Sequence, residues 1–129
     1  MIGLYLPYIL LTALFLVGVY CVVTKKNLIK IVLGLAISEV AVNLFLVTLG
    51  YNSHAVNVGG RTVSGLAPIE TPTTSPQEVL AFCDPLPQAL VLTSVVIGLS
   101  TLALAVAICI RLYDRYRTYD ITEIRRLRG

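Results

Sequence analysis

Glu39 is the residue whose type and place could do chemistry. It stands in a 22-residue apolar run, residues 28–49, eleven past Leu28 and ten before Leu49. If that run crosses a bilayer as a helix, Glu39 lies near the midplane, where an ionised carboxylate costs about 2.5–3.5 kcal/mol on insertion scales. A residue held there at such a cost faces protein or water rather than lipid. Removing a carboxyl group from water disfavours its charged form, so a carboxyl in that setting can take up and release a proton. Asn43 follows one helical turn later on the same face, where it could orient the carboxyl or hold a water beside it. The alternative role for Glu39 is structural: a buried carboxyl that hydrogen-bonds a neighbouring helix and fixes its register.

A second polar pattern lies between residues 86 and 110. Ser94, Gly98, Thr101 and Ala105 recur at the spacing of one helix face and read as a packing seam, because small residues let helices approach closely. Thr93 and Ser100, seven apart on a neighbouring stripe, could line a hydrated path or simply bond their own backbone. Gly34 and Ser38 form a small-xxx-small pair beside Glu39 and suggest a matching seam. Other chemistry is not indicated. Cys21, Cys83 and Cys109 lack a CxxC spacing, and His54 stands alone in a loop. There is no phosphate-binding Gly-rich loop, no nucleophile elbow and no haem-type motif. Neither a metal site nor a cofactor is expected.

The elements that must hold these residues follow from composition. Of 129 residues, 57% are hydrophobic and 13% charged, about half the charged share of a soluble domain; the mean hydropathy is +0.85. That excludes a soluble globule, a disordered chain and a disulfide-stapled mini-protein. The apolar residues fall in three blocks, about 2–23, 28–49 and 86–110. At 1.5 Å per residue, 22 residues span about 33 Å, enough for a ~30 Å hydrocarbon core. The blocks lack the strict alternation that barrel strands need. The expected fold is an all-α membrane protein, a single domain over residues 1–129 with three transmembrane helices.

The first connection carries Lys25, Lys26 and Lys30, and the tail, 111–129, carries six Arg, from Arg111 to Arg128. The long loop, 50–85, has Arg61 alone. Basic residues stay cytoplasmic, so the amino terminus is expected outside, the loop outside and the tail inside. Within the loop, Ser75-Pro76-Gln77-Glu78 reads as a capped start to a short helix, about 76–83, and Asp84-Pro85 as a second cap that opens the third span. Tyr113, Tyr116 and Tyr119, spaced by three, suggest a helix that leaves the membrane.

The run Asp84-Pro85-Leu86-Pro87-Gln88-Ala89-Leu90-Val91-Leu92-Thr93, continuing to Gly98, resembles the third-helix signature of the C-type small subunit found in Mrp-type antiporters, multisubunit assemblies that exchange cations for protons. The same family includes the equivalent subunit of archaeal membrane-bound hydrogenases and sulfane sulfur reductases, and it is more distantly similar to the K-type small subunit of respiratory complex I. With three spans, a basic inner connection and a midplane Glu, the resemblance covers nearly the whole chain. It implies a subunit without catalytic activity of its own in a prokaryotic plasma membrane. Its partners would be large antiporter-like subunits and small helical ones, the lipid bilayer, protons and Na⁺, with no nucleic acid. The family's second-span Glu matches Glu39. The complex I relatives carry another Glu in the third span, where this sequence offers Thr93, Ser94, Ser100 and Thr101. The parent complex would be a stand-alone antiporter or one joined to a hydrogenase or related oxidoreductase. The alternative within the same complex is a purely structural scaffold.

The lysine and arginine count generates a test of orientation. In a variant whose single cysteine replaces Ser64, a membrane-impermeant thiol reagent should label the chain from the outer face of intact cells. Labelling from the cytoplasmic face alone would contradict the expected topology.

Overall fold

A computed structural model describes residues 2–126 of the chain. Arg128, part of the basic tail, lies outside the described residues. In order, the elements are α1 (Ile2–Thr24), α2 (Leu28–Leu49), β1 (Val56–Val58), β2 (Arg61–Val63), α3 (Pro76–Val79), α4 (Pro85–Tyr116) and α5 (Ile121–Arg126). The protein is mostly helical, and α1, α2 and α4 are long and apolar enough to cross a membrane. Their side chains stay largely exposed: Leu33, Leu92 and Leu99 each keep more than half of their surface. Apolar faces of this kind suit lipid or neighbouring chains rather than water. The chain divides into two compact units, Met1–Phe45 with Thr93–Gly129, and Leu46–Leu92.

In the first unit, α1 and α2 meet where three small residues coincide. A Cβ added to Gly34 would lie 2.8 Å from Cys21 Cβ and 3.0 Å from the Gly18 carbonyl oxygen. One added to Gly18 would strike the Ser38 hydroxyl and come within 2.9 Å of the Ser38 nitrogen. Backbones this close gain van der Waals contact, the main adhesive between helices where lipid is as apolar as the side chains. The seam read at Gly34 and Ser38 thus has Gly18 of α1 as its partner. Hydroxyls in the spans satisfy themselves on their own helices: Thr12 donates to the Tyr8 carbonyl (2.8 Å), Thr24 to Tyr20 (2.6 Å) and Ser38 to Gly34 (3.0 Å). Tyr8 and Phe45 meet edge to face at 5.9 Å.

α4 runs 32 residues, about 48 Å at 1.5 Å per residue, longer than a hydrocarbon core. It continues six residues past the apolar block and stops after Tyr116. Arg117 then adopts φ 57°, a left-handed conformation that ends a helix, and its N–H donates to the Tyr113 carbonyl at 2.7 Å. The chain reverses there. Tyr119 stacks on Tyr113 at 4.5 Å, the Leu28 N–H donates to the Tyr119 carbonyl (2.9 Å), and the Ile121 N–H donates to the Lys26 carbonyl (3.0 Å). The tail is therefore tied to the α1–α2 connection, and the three tyrosines do not share one helix as their spacing suggested. Asp120 caps α5 by accepting from the Thr122 hydroxyl (2.6 Å) and N–H (2.9 Å). Those two bonds, with the Lys26 charge nearby, hold its carboxyl below the usual carboxylate range.

In the second unit, β1 and β2 form an antiparallel hairpin with Val56 opposite Val63 and Val58 opposite Arg61. Gly59 and Gly60 turn it with φ 57° and 81°, two consecutive positive values that glycine tolerates without cost. Ser75 and Glu78 form the reciprocal capping box at α3: Ser75 N–H donates to Glu78 Oε2 (2.8 Å) and Glu78 N–H to Ser75 Oγ (3.3 Å). The helix ends at Val79, shorter than the expected 76–83, because the chain beyond it is claimed elsewhere. Asn52 Nδ2 donates to the carbonyls of Leu80 and Phe82, and Leu66 pairs with Ala81 and Cys83 through the backbone. Asp84 Oδ1 accepts from the Leu86 N–H at 3.0 Å and caps α4.

Candidate functional site

The first unit builds a mostly apolar pocket around the Glu39 carboxyl. The carboxyl of Glu39, on α2, rests against α4 at Gly98: a Cβ added to Gly98 would land on the carboxylate oxygens. Gly98 is buried, and its missing side chain is what leaves room for the carboxyl. A cavity of about 480 Å³ opens beside this contact, lined in its polar part by Ser38, Glu39, Asn43, Ser94 and Thr101. Phe15 of α1 closes part of its apolar wall. Glu39 is the one titratable residue on that lining. It is half-buried and makes no ion pair or hydrogen bond among the described residues. The nearest basic residue on its own helix is Lys30, nine residues away, or about 13.5 Å along the axis.

Asn43 is the more deeply placed of the pair. It keeps 7% of its surface, lines the same cavity, and its side chain makes no hydrogen bond among the described residues. No buried side-chain nitrogen or oxygen among the described residues lacks a partner, so the unpaired atoms of this amide keep contact with open space, where a water can meet them. The space suffices: water occupies about 30 Å³ in the liquid, so the cavity has room for several.

The structure brings some of the singled-out residues together and separates others. Glu39 and Asn43 share the cavity, joined by Ser94, Thr101 and Ala105 from the α4 row and by Ser38. That small-residue row is where α4 receives the carboxyl, at Gly98. Thr93 and Ser100 are exposed and off the lining; the Ser100 hydroxyl donates to the Val96 carbonyl at 2.9 Å. Asp84, Pro85 and Pro87 shape the start of α4, with Pro87 Cγ 2.9 Å from where a Cβ on Gly50 would sit, and Gln88 is exposed in the first turn. The lining hydroxyls carried a readable signal, since Ser94 and Thr101 are seven apart on the stripe of Gly98. Phe15 had none, because nothing local distinguishes it from the other apolar residues of the first span.

Comparisons with known proteins agree on one family. The family described as NADH-ubiquinone/plastoquinone oxidoreductase chain 4L matches residues 6–129. The C1 subunit of the Na⁺/H⁺ antiporter of Staphylococcus aureus strain JH9 is 34% identical over 109 residues, covering 84% of this chain and 82% of that protein. Its counterpart from strain Newman matches equally. A chain in the structure of the membrane-bound sulfane sulfur reductase, an archaeal respiratory membrane complex, aligns with a TM-score of 0.75 and 41% identity, covering 91% of this chain and 94% of that one.

The seat at Gly98 generates a steric test. Gly98→Ala places a methyl group on the carboxyl and should destabilise the assembled complex by about 1–3 kcal/mol, the usual cost of overpacking; Gly98→Leu should prevent assembly. Thermal unfolding of the purified complex reads both. An alanine variant with unchanged melting would contradict this packing.

Proposed function

This chain belongs to the NADH-ubiquinone/plastoquinone oxidoreductase chain 4L family, and on that footing we propose that it is a small membrane protein of a multisubunit antiporter module that exchanges cations for protons, with Glu39 as its contribution to the ion path. The observation that carries this reading is the seat of Glu39: a carboxyl half-buried in a membrane span, beside a cavity of about 480 Å³ and without a cation partner among the described residues. A charged carboxyl is costly in a membrane span, which suits this group to pass a proton between water and neighbouring polar groups. Asn43 reaches the same space and can keep a water in contact with it. The only bond that changes is the O–H bond of the Glu39 carboxyl, formed when it takes a proton and broken when it passes the proton on. Three helices enclose too little surface for a complete path, so the larger antiporter-like subunits supply the remainder and cover the exposed apolar faces of α1 and α4.

The orientation that goes with this reading has the amino terminus outside and the carboxyl terminus in the cytoplasm of a prokaryote, as the basic connection and tail require. Lys26 and Tyr119, joined through one hydrogen-bonded strap with Leu28 and Ile121, would then lie together on the inner side. The kinship with a chain of the sulfane sulfur reductase complex favours a module joined to a respiratory oxidoreductase over a free-standing antiporter.

The test separates a proton carrier from a scaffold. Glu39→Gln keeps the shape and the hydrogen bonding but cannot titrate. In vesicles holding the intact complex, its cation-dependent proton flux should fall about a hundredfold, the lower end of what one proton-transfer group contributes. Glu39→Asp should be intermediate. A scaffold predicts the other order, with Gln near wild type and Asp worse. Full flux with Gln would remove Glu39 from the path.

A further inference from the structure

The tail beyond α4 is held at the edge of the membrane. α2 has 22 residues, about 33 Å, which matches a ~30 Å hydrocarbon core. Its first residue, Leu28, therefore marks the level where hydrocarbon gives way to headgroups. The chain after α4 is bonded to that level. The Leu28 N–H donates to the Tyr119 carbonyl (2.9 Å), the Ile121 N–H donates to the Lys26 carbonyl (3.0 Å), and Asn27 bridges to Asp120. Arg125 and Arg126 follow Ile121 within α5, a helix of six residues, so they lie at most about 7.5 Å beyond it at helical rise. A headgroup layer is about 5–7 Å deep on each side of a bilayer. The strap thus keeps its cations at headgroup depth.

Those cations are free to meet a ligand. Lys25, Lys26, Arg117, Arg125 and Arg126 are all exposed, and none makes an ion pair among the described residues. The acidic residues beside them on the strap are Asp120 and Glu123, and Asp120 already accepts from the Thr122 hydroxyl and N–H. The patch keeps a net positive charge. Against it lies an apolar crevice of about 110 Å³ between α2 and α4, lined by Ile29, Val32, Val106, Cys109, Ile110 and Tyr119. Tyr119 belongs to both, since its backbone is part of the strap and its side chain stacks on Tyr113 of α4 at 4.5 Å.

We propose that the strap and the crevice together bind an anionic phospholipid of the adjoining leaflet, with its headgroup phosphate on the basic side chains and part of one acyl chain in the crevice beside Tyr119. Basic charge above an apolar crevice complements a molecule that carries an anionic head on an apolar tail. An acidic protein surface would match the charge and leave the crevice unfilled. Guanidinium groups suit phosphate, which they can bind through two parallel hydrogen bonds. Tyrosine suits the boundary between head and tail, because its ring is apolar and its hydroxyl polar. A zwitterionic lipid offers the same chain but brings a second cation to a surface that is already basic, so the site selects for net charge. The inference needs the spans to cross a membrane; it depends neither on the titration of Glu39 nor on the side that the strap faces.

The experiment places the intact complex in bilayers doped with a phosphatidylglycerol that carries a photoreactive diazirine on an acyl carbon near the glycerol. Phosphatidylcholine with the same acyl chain is the control. After illumination, mass spectrometry locates the adducts. Phosphatidylglycerol should label the crevice at Ile29, Val32, Val106 or Ile110 about tenfold more than phosphatidylcholine at equal concentration, a modest effect for several cations at a membrane surface. In the triple variant Lys26→Gln, Arg125→Gln, Arg126→Gln, that labelling should fall to the phosphatidylcholine level, while labelling by phosphatidylcholine stays as it was. Arg125→Lys with Arg126→Lys should keep the preference. Equal labelling by the two lipids in the unaltered complex would overturn the site and leave ordinary boundary lipid; this comparison decides the matter even if the triple variant does not assemble. Absence of crevice adducts with either lipid would show that a neighbouring subunit covers the strap, which also overturns it. A preference that survives in the triple variant would remove these side chains from the headgroup site.

Discussion

A carboxyl group set against the bare backbone of a neighbouring helix fixes what the three spans can be. Glu39 sits where a Cβ of Gly98 would be, so α2 and α4 must approach at that level and α4 must be without a side chain there. The hydroxyls that flank the contact turn their protons inward to their own helices. The space beside it is mostly apolar, with polar groups only where Ser38, Glu39, Asn43, Ser94 and Thr101 reach it. In lipid, a lone carboxyl so placed is costly unless it is neutralised or solvated, and the cavity provides room for either.

The remaining structure holds that geometry in place. The Gly18–Gly34–Ser38 crossing sets the spacing of α1 and α2. The strap that pairs Lys26 and Leu28 with Tyr119 and Ile121 closes the end of the first unit, where α4 would otherwise diverge from the first two helices. Asp120 secures the strap's far side by capping α5. In the second unit, the capping box at Ser75, the bonds of Asn52 and the glycine hairpin give a long connection its own internal order.

The legibility of these parts in the sequence depended on how local their causes are. The limits of α2 could be read because an apolar run is bounded by Asn27 and Gly50, and the box at Ser75 because its two partners are three residues apart. The hairpin was equally local: Val56-Asn57-Val58, Gly59-Gly60, Arg61-Thr62-Val63 is the standard signal for a two-residue turn, yet the surrounding Pro- and Thr-rich loop obscured it. The tail's reversal was not local, since it pairs residues more than ninety positions apart, and no pattern near Arg117 marks its left-handed turn. Glu39 and Asn43 stood out as polar residues in an apolar run. That Ser94 and Thr101 would face them, and Thr93 and Ser100 would not, depended on the rotation of α4 about Gly98, which only the packing determines.

The central claim is that Glu39 changes its protonation state within the assembled complex. Infrared difference spectroscopy across an acid–base step observes this directly, through the C=O stretch that a carboxyl group shows only when protonated. The account predicts a band in the wild-type complex that vanishes in Glu39→Gln and returns, shifted, in Glu39→Asp. Identical difference spectra for the wild type and the glutamine variant would contradict it.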